Sequence, residues 1–382
     1  MTFPARVAVV IGTRPEAVKL APVIWALDTH PDLTPVVIST GQHRELLTPT
    51  LGDLGIVPDH YLDTMSAGGD LAALTARLIA ALGPLWEDIH PDAVVVQGDT
   101  TSAMTAALTA FYAHLPVAHV EAGLRSGSLD DPFPEELNRK TIAVAARWHF
   151  APTPLASERL RSEGVSPDNI DMVGNTVIDT LSWAWHKRLG TSAFGLTRRP
   201  RLRMLVTLHR RETQGAPMAA LAAGIAEIAG TSDLEIVLPL HKSPAVRASL
   251  VPALSGYPHI RLCEPLGYLD FLATLSQADL LLTDSGGALE EAAGLGIPTL
   301  VCREATERSE AIDAGTARLV GTEPRHVVTE TVALLADPAA RAAMSEAPCP
   351  FGDGNTATRI VARLAQSLAS SSSRPLLSAT TS

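Results

Sequence analysis

The sequence has few cysteines, no signal-peptide pattern and no long apolar run, which are the features of secreted, metal-binding and membrane-spanning proteins. Its 382 residues include three cysteines, Cys263, Cys302 and Cys349, which form neither a zinc-binding spacing nor a redox pair. We therefore expect reduced thiols in a cytoplasmic protein. The opening MTFPARVAVVIG lacks a basic segment followed by a long apolar stretch, so we expect no signal peptide. No apolar run approaches the roughly 18 residues that span a bilayer, so we expect no membrane association.

Charge is also scarce. Charged residues make up 19% of the chain and hydrophobic residues 46%, which predicts folded domains with sizeable cores rather than disorder. The net charge of -11 argues against a nucleic-acid partner, because general nucleic-acid binders carry a basic stripe. At roughly 150 residues per domain, the length predicts two or three domains.

Short runs rich in Val and Ile alternate with longer segments of helical period. Such runs are apolar on both faces, as expected of parallel strands covered by helices. The first half predicts strands at 6–11, 34–40, 93–97, 117–120, 149–151 and 171–173, and helices at 15–26, 71–85, 101–112 and 138–146. A basic stretch at 187–201 lacks a clear period, and we interpret it as a linker. A second series predicts strands at 203–207, 235–238, 260–263, 279–283, 298–301 and 317–320.

This alternation predicts an α/β fold with two Rossmann-like, doubly wound domains, residues 1–186 and 202–355. Their ligand is expected in a central cleft, at the carboxyl ends of the strands. A last helix at about 356–369 is expected to pack back on the first domain. The tail at 370–382 is low in complexity, so we expect it to be disordered.

The segment GTRPEAVK at 12–19 directly follows the first strand. Arg14 and Lys19 lie close to the start of a helix, where free backbone N–H groups and the helix dipole favour an anion, and Pro15 suits the first helical turn. The alternative is a plain strand-to-helix turn with exposed charges. The glycine spacing is not GxGxxG, so we expect no nicotinamide or flavin cofactor.

A second glycine-containing turn, TDSGGALEE at 283–291, follows a strand of the second half. Ser285, Gly286 and Gly287 form a bare turn that can lay several N–H groups against a phosphate, and Glu290 or Glu291 could accept from ribose hydroxyls. The alternative is an acidic helix start that merely suits the dipole.

The segment TLHRRET at 207–213 ends the first strand of the second domain. Its His209 and Arg210, with the cations of the first turn, suit a diphosphate. The alternative is a basic turn on the surface.

Acidic side chains end neighbouring strands of the first domain. Asp99, Glu121 and Glu135 each have an ordinary explanation: Asp99 as a helix N-cap, Glu121 as a partner of Arg125, and Glu135 at a helix start. Together, three carboxylates that repel one another suggest acid–base chemistry. A divalent metal is the lesser alternative, because metal-binding spacings are absent, and we predict no metal.

Twelve motifs in order make the sequence similar to the bacterial non-hydrolysing UDP-N-acetylglucosamine 2-epimerase family. They are GTRPEAVKLAPV, GQHRELL, GDTTSAMTAALTAFY, HVEAGLRSG, FPEELNR, GNTVID, LHRRE, PLGYLDF, TDSGGALEEA, GIPTLV, TERSEAI and GTARLVG, and the resemblance runs from about residue 7 to 354. It implies a glycosyltransferase-B-like fold, a homodimer, and the reversible conversion of UDP-N-acetylglucosamine to UDP-N-acetylmannosamine without a cofactor.

The resemblance also implies roles for individual residues. Those implied as catalytic are Asp99, Glu121, Glu135 and His209. Those implied as substrate-binding are Arg14, Lys19, Arg139, Leu266, Phe271, Ser285, Gly286, Gly287, Glu291 and Arg308, with Leu266 and Phe271 at the uracil. Those that match parts of a second, allosteric UDP-N-acetylglucosamine site are Gln42, His43, Arg210 and His241.

Four other functions stay open. A hydrolysing epimerase would use the same elimination and then add water. A related enzyme could act on another UDP-aminosugar, and a glycosyltransferase could share the fold. A catalytically silent UDP-sugar sensor is the fourth alternative.

Overall fold

The computed structural model describes residues 4–42, 44–64, 70–187, 201–210, 214–231 and 233–372. These residues divide into two compact units. The first takes the chain up to Thr180 and again from Gly352 onward, and the second runs from Leu181 to Phe351. The boundary falls within helix α7 (Thr176–Lys187). Each unit has its own parallel sheet covered by helices.

The first unit is built on a seven-stranded parallel sheet in the order β3-β2-β1-β4-β5-β6-β7. The chain runs outward from β1 to β3 and then returns to place β4 beside β1. The point where β1 and β4 meet is therefore the topological switch point, where ligands bind in such sheets. Its elements are β1 Ala5–Ile11, α1 Arg14–Asp28, β2 Leu33–Ser39, α2 Arg44–Leu54, β3 His60–Tyr61, α3 Leu71–Ile89, β4 Ala93–Gln97, α4 Thr101–Tyr112, β5 Val117–Val120, α5 Glu135–Ala145, β6 Trp148–Ala151, α6 Pro154–Ser162 and β7 Ile170–Met172.

The second unit repeats this order in a six-stranded parallel sheet, β10-β9-β8-β11-β12-β13. Its switch point lies between β8 and β11, which pair in parallel from Leu280 beside Met204 to Thr283 beside Thr207. Its elements are β8 Leu202–Thr207, α8 Ala216–Thr231, β9 Leu234–Pro239, α9 Pro244–Leu254, β10 Ile260–Cys263, α10 Tyr268–Leu275, β11 Leu280–Thr283, α11 Gly286–Leu295, β12 Thr299–Val301, α12 Ser309–Asp313, β13 Ala317–Leu319, α13 Pro324–Ala336 and α14 Pro338–Glu346.

The central strands of each sheet are buried on both faces, as their continuous apolar runs predict. In the first unit, Ala8, Val10 and Val94 belong to a core that includes Leu78 of α3 and Ala106 of α4. The second unit has an equivalent core built around β8 and β9. Burial of this kind supplies the main driving force for folding. The packed cores also set the positions of the strand ends, where the polar residues lie.

The predicted fold class is confirmed, and each predicted strand is present with bounds that differ by at most a residue or two. One helix start is predicted wrongly. Helix α5 begins at Glu135, directly after Pro134, and not at residue 138. Glu135 and Glu136 therefore occupy its first turn, where the helix dipole favours carboxylates.

The carboxyl-terminal helix α15 (Thr356–Ser372) packs on α1, and Ala357 N donates to the Asp179 carboxylate at 2.8 Å. The prediction of disorder from residue 370 is wrong for residues 370–372, which continue this helix. Residues 373–382 of the tail, and 188–200 of the predicted linker, lie outside the described residues.

Among the residues that the structure describes, no helix has both the length and the apolar character needed to cross a bilayer.

Candidate active site

The turn after β1 closes on a carboxylate of its own helix. Glu16 Oε2 accepts from the backbone N–H groups of Gly12 at 3.0 Å and Thr13 at 2.6 Å. Glu16 Oε1 accepts from the Thr100 hydroxyl at 2.7 Å, across the switch point in the turn after β4. Burial raises the pKa of Glu16 to about 7, although these donors act in the opposite direction. The N–H groups predicted to bind a ligand anion here therefore serve an internal carboxylate.

Glu121 lies one residue past β5, and its backbone has φ of 62°, in the left-handed region that few residues other than glycine adopt. Its carboxylate is 5% exposed and lies 2.5 Å from Lys19 Nζ. Asn175 Nδ2 donates to Oε1 at 3.2 Å, and Gln97 Nε2 donates to Oε2. Glu121 is thus held by a buried cation and two amides, and strain of this kind is typical of functional sites.

This cluster changes two sequence-based interpretations. Lys19 was expected to bind substrate, but it pairs with Glu121 in the structure. The alternative that Glu121 partners Arg125 is wrong, because Arg125 donates to Glu163, with its Nη2 2.5 Å from Oε2. Sequence reasoning missed Gln97, at the end of β4, and Asn175, directly before α7, because an amide side chain carries no signal until its neighbour is known.

Asp99 follows β4 and is oriented by helix α5. Arg139 Nη2 lies 2.7 Å from Asp99 Oδ2, and Asn138 Nδ2 donates to the Asp99 carbonyl at 2.7 Å. Arg139 also bonds Glu136 at 2.9 Å. The alternative that Asp99 is a helix N-cap is wrong, because Thr100 fills that position on α4.

Glu135 is the first residue of α5, one turn before Arg139, so the helix that orients Asp99 also carries Glu135. Because β4 and β5 pair with Gln97 beside Val120, Asp99 and Glu121 leave the sheet at the same edge. The structure therefore brings the strand ends that carry Asp99 and Glu121 together with the helix that carries Glu135.

His119, on β5, supports the same edge from below. Its Nε2 lies 2.7 Å from the carbonyl oxygen of Gly98, the residue before Asp99. Burial lowers the pKa of His119 to about 3, so its ring is neutral at ordinary pH and donates from Nε2 to this carbonyl.

In the second unit, Asp284 follows β11 and is fully buried. Its Oδ2 accepts from the backbone N–H groups of His209 at 2.8 Å and Arg210 at 2.9 Å. Its Oδ1 lies 3.0 Å from His209 Nδ1. Burial opposes ionisation of Asp284, but His209 and the two backbone donors outweigh it and hold the pKa of this carboxyl below its usual range. Asp284 was not among the residues selected from the sequence.

The ring of His209 stacks on His241, with centroids 5.6 Å apart. His241 and Arg210 were expected at a second ligand site, and the structure places His241 beside His209 and Arg210 Nε 3.2 Å from the Asp284 carbonyl. Gln42 of the first unit accepts from the Ser102 hydroxyl at 2.7 Å and the Ser102 backbone N–H at 3.2 Å. His43 lies outside the described residues.

Helix α11 begins with Gly286 and Gly287, after the N-cap Ser285. Their N–H groups belong to the first helical turn, so no acceptor exists for them within the helix. Arg308 lies over Gly286: a Cβ added at this glycine would come within 2.5 Å of the Arg308 guanidinium. This end of α11 thus combines free helical N–H groups, a missing side chain and an adjacent cation.

Arg308 Nε forms an ion pair with Glu290 Oε1 at 2.5 Å. The neighbouring carboxylate, Glu291, is also largely buried. Leu266 is half-buried in the loop before α10, and Phe271 of α10 packs against the core of the second unit. Within the described part of the chain, no three His, Cys, Asp or Glu side chains gather in a way that could hold a metal ion.

The family model described as UDP-N-acetylglucosamine 2-epimerase matches residues 25–365. The chain belongs to this family. It is 42% identical to the UDP-N-acetylglucosamine 2-epimerase of Salmonella typhimurium over 368 residues, which cover 94% of this chain and 98% of the relative. Relatives of that name are epimerases, enzymes of the isomerase class.

Solved structures agree with this family membership. The UDP-GlcNAc 2-epimerase of Neisseria meningitidis, bound to UDP-GlcNAc, has a TM-score of 0.90 and 39% identity over 94% of this chain and 100% of its own. That of Methanocaldococcus jannaschii, in complex with UDP-GlcNAc and UDP, has a TM-score of 0.81 and 32% identity over 94% and 99%.

Proposed function

We propose that this protein is a non-hydrolysing UDP-N-acetylglucosamine 2-epimerase that interconverts UDP-N-acetylglucosamine and UDP-N-acetylmannosamine. Family membership supports the substrate class. The observation that carries the chemistry is the edge of the first sheet, where Asp99 and Glu121 leave neighbouring strands beside the helix of Glu135. Carboxylates held in fixed positions by Arg139 and Lys19 suit proton transfer at carbon.

The reaction proceeds by elimination and re-addition. The C2 hydrogen beside an acetamido group is not acidic enough for simple deprotonation, so its removal is coupled to departure of UDP. A carboxylate takes the C2 proton, the C1–O bond breaks with its electron pair going to UDP, and the C1=C2 double bond of 2-acetamidoglucal forms. UDP oxygen then attacks C1 while a proton is delivered to the opposite face of C2.

In this proposal the two units supply different chemistry. The first provides the acid–base groups, Asp99, Glu121 and Glu135. The second provides donors for the negative charge that develops on departing UDP: the N–H groups of Gly286 and Gly287, and His209 beside Asp284. Preorganised donors of this kind stabilise a leaving anion.

The remaining assignments from the resemblance are part of the same proposal. Arg14 and Arg308 contact the diphosphate, Glu291 the ribose, and the Leu266 and Phe271 segment the uracil. Two of these positions support the proposal: Arg14 begins α1 directly after the turn that follows β1, and Arg308 is the N-cap of α12 beside the start of α11.

The test is proton NMR of the purified protein with UDP-N-acetylglucosamine in D2O. UDP-N-acetylmannosamine with deuterium at C2 and an intact UDP linkage is the expected product. Free N-acetylmannosamine with UDP would replace this proposal with the hydrolysing reaction. Binding of UDP without exchange or turnover would leave a glycosyltransferase, a sensor or another UDP-aminosugar as the function.

We also propose that the chain forms a homodimer through the outer face of α3, α4 and α5. These three helices pack side by side, and they expose the large apolar side chains Ile79, Phe111, Tyr112, Leu137 and Val144. Phe111 of α4 and Val144 of α5 line the same surface depression. Exposed apolar side chains on neighbouring helices are typical of interfaces.

Light scattering coupled to size-exclusion chromatography tests the dimer. Val144 is 87% exposed, so Val144→Glu should halve the mass without loss of helical content. Val57, 81% exposed on a loop of the same unit, is the matched control, and Val57→Glu should remain dimeric. A wild-type protein of monomer mass would exclude this assembly.

A further inference from the structure

The two carboxylate oxygens of Asp284 make different contacts. Oδ2 accepts from two backbone N–H groups, those of His209 and Arg210, and so shapes the turn after β8. Oδ1 lies 3.0 Å from the ring nitrogen Nδ1 of His209, an ion-pair contact in which the ring N–H is not aligned on Oδ1 as in a hydrogen bond. The His209 side chain is 39% exposed while that of Asp284 is fully buried, so the pair joins a fixed carboxylate to an accessible imidazole.

This contact decides which ring nitrogen of His209 carries the proton. Since the His209 and backbone donors keep the pKa of Asp284 below its usual range, its carboxyl is ionised at neutral pH and offers only acceptors. A lone pair on Nδ1 would be repelled by the anionic oxygen 3.0 Å away, so the neutral ring is expected to have its proton on Nδ1 and its lone pair on Nε2. Stacking on His241 restrains the plane of the same ring.

We propose that Asp284 is a positioning residue, which fixes the tautomer and orientation of His209 so that Nε2 is the nitrogen presented to the UDP-sugar. The proposal rests on the proposed function for the identity of that ligand. The geometry of the pair itself does not depend on it. The free Nε2 can take up a proton from solvent, and the imidazolium then donates from Nε2 to the departing diphosphate, as the proposed function requires. The carboxylate beside Nδ1 stabilises the charge of that imidazolium.

Asp284→Asn separates the two contacts. The amide oxygen can still accept from the two backbone N–H groups, so the turn is retained. The amide nitrogen then faces His209 Nδ1, which must become an acceptor, and the ring proton moves to Nε2. A comparable carboxylate-to-amide change beside a catalytic histidine costs orders of magnitude in kcat while leaving the geometry intact.

Asp279→Asn is the matched control. Asp279 lies just before the other end of β11, and its Oδ2 accepts from the Arg203 backbone N–H at 2.7 Å. It provides the backbone contact without a histidine. Asp279→Asn should therefore keep both kcat and the histidine spectrum of the wild type.

The first measurement is the tautomer of His209 in the wild-type protein without substrate. Long-range ¹H–¹⁵N NMR above neutral pH distinguishes the two tautomers, and His209→Gln identifies the signal. We expect Nδ1–H in the wild type and Nε2–H in Asp284→Asn. An Nε2–H signal in the wild type would overturn the proposal, and this readout stands even if Asp284→Asn does not fold.

The second measurement is kcat in a double-mutant cycle. Asp284→Asn should lower kcat about 10²-fold in the wild-type background and less than about twofold in His209→Ala, because the two residues act as a unit. An equal loss in both backgrounds would show that Asp284 acts independently of His209. Absence of turnover in the wild type, with an Nδ1–H signal, would instead refute the proposed function and leave the positioning intact.

Discussion

The two units of this protein repeat one strand order. In each unit a buried carboxylate connects the turns that follow the two strands at the switch point. In the first unit, Glu16 joins the turn after β1 to Thr100 in the turn after β4. In the second, Asp284 in the turn after β11 joins back to His209 and Arg210 after β8. In both units the carboxylate joins the turns that follow the two strands at the switch point. In the first unit it comes from the first turn of the helix after the first of these strands, β1, and in the second unit from the turn after the second, β11.

The two carboxylates differ in protonation for a clear physical reason. Both are deeply buried, and burial favours the neutral form of each. Glu16 meets only neutral donors, and its pKa rises to about 7. Asp284 meets an imidazole as well as backbone N–H groups, and its pKa is lowered. Burial alone therefore does not predict the charge of such a group, because its partners decide it.

The comparison also separates the tasks of the two turns. Glu16 accepts hydrogen bonds from two backbone N–H groups of the turn after β1, so these groups stabilise the turn itself. In the second unit, Gly286 and Gly287 begin α11 with N–H groups directed out of the helix start. We therefore expect changes at the acid–base groups of the first unit to affect turnover, and changes at the start of α11 to affect UDP affinity.

The largest expected effect comes from Glu121→Gln. Removing this carboxylate takes away an acid–base group beside Lys19, so kcat should fall about 10³-fold, while the Kd for UDP changes less than about threefold. Stopped assays by NMR and calorimetry with UDP measure the two quantities. Glu163→Gln, which alters the partly exposed partner of Arg125, is the control and should retain kcat. A large loss of UDP affinity in Glu121→Gln would contradict the hypothesis that this carboxylate acts in turnover and not in UDP binding.

The next effect concerns pH. The folded pKa of Glu16, about 7, exceeds its ordinary value of 4.5. Its protonation therefore contributes to the free energy of unfolding fully below pH 4.5, and this contribution is lost as the pH rises through 7. Relative to the wild type, Glu16→Gln should gain on the order of 3 kcal/mol between pH 5 and pH 8. Urea unfolding at the two pH values measures the difference.

Asp284→Asn sharpens this comparison within the same experiment. Because the pKa of Asp284 is lowered, its contribution is present above the unfolded value of 3.8 and is lost only as the pH falls below it. The stability difference between Asp284→Asn and the wild type should therefore shrink as the pH falls from about 5 to about 3, whereas the difference for Glu16→Gln levels off below pH 4.5. Parallel curves for the Glu16 and Asp284 variants would contradict the assignment of opposite shifts.

The smallest effect is expected from Gly286→Ala. The new methyl group would collide with the Arg308 guanidinium, which must move away from the start of α11. The Kd for UDP should rise about tenfold, about 1.4 kcal/mol, with a smaller change in kcat. Gly230→Ala, where a Cβ meets nothing within 4 Å, is the control in the same unit. Unchanged UDP affinity in Gly286→Ala would remove α11 from the proposed ligand site.

The sequence by itself determined the fold class and the strand ends. Continuous apolar runs predicted both parallel sheets, and β4, α4 and β5 have the predicted bounds. The ordered motifs predicted the family, because a dozen segments in sequence constrain it more than any one of them. Local chemistry also suggested the first-turn role of Pro15 and the glycine-rich start of α11.

Only the tertiary structure decided which polar groups meet. Lys19 and Glu121 are 102 residues apart, and Glu16 and Thr100 are 84 residues apart. Hydrophobic period specifies which face of an element is buried but not which strand becomes its neighbour. The pairing of Glu121 with Lys19 rather than Arg125, and the contact of Asp284 with His209, follow from strand order and register. A carboxylate's role depends on those neighbours, so the sequence could name candidates for chemistry but not the partners that set their charge.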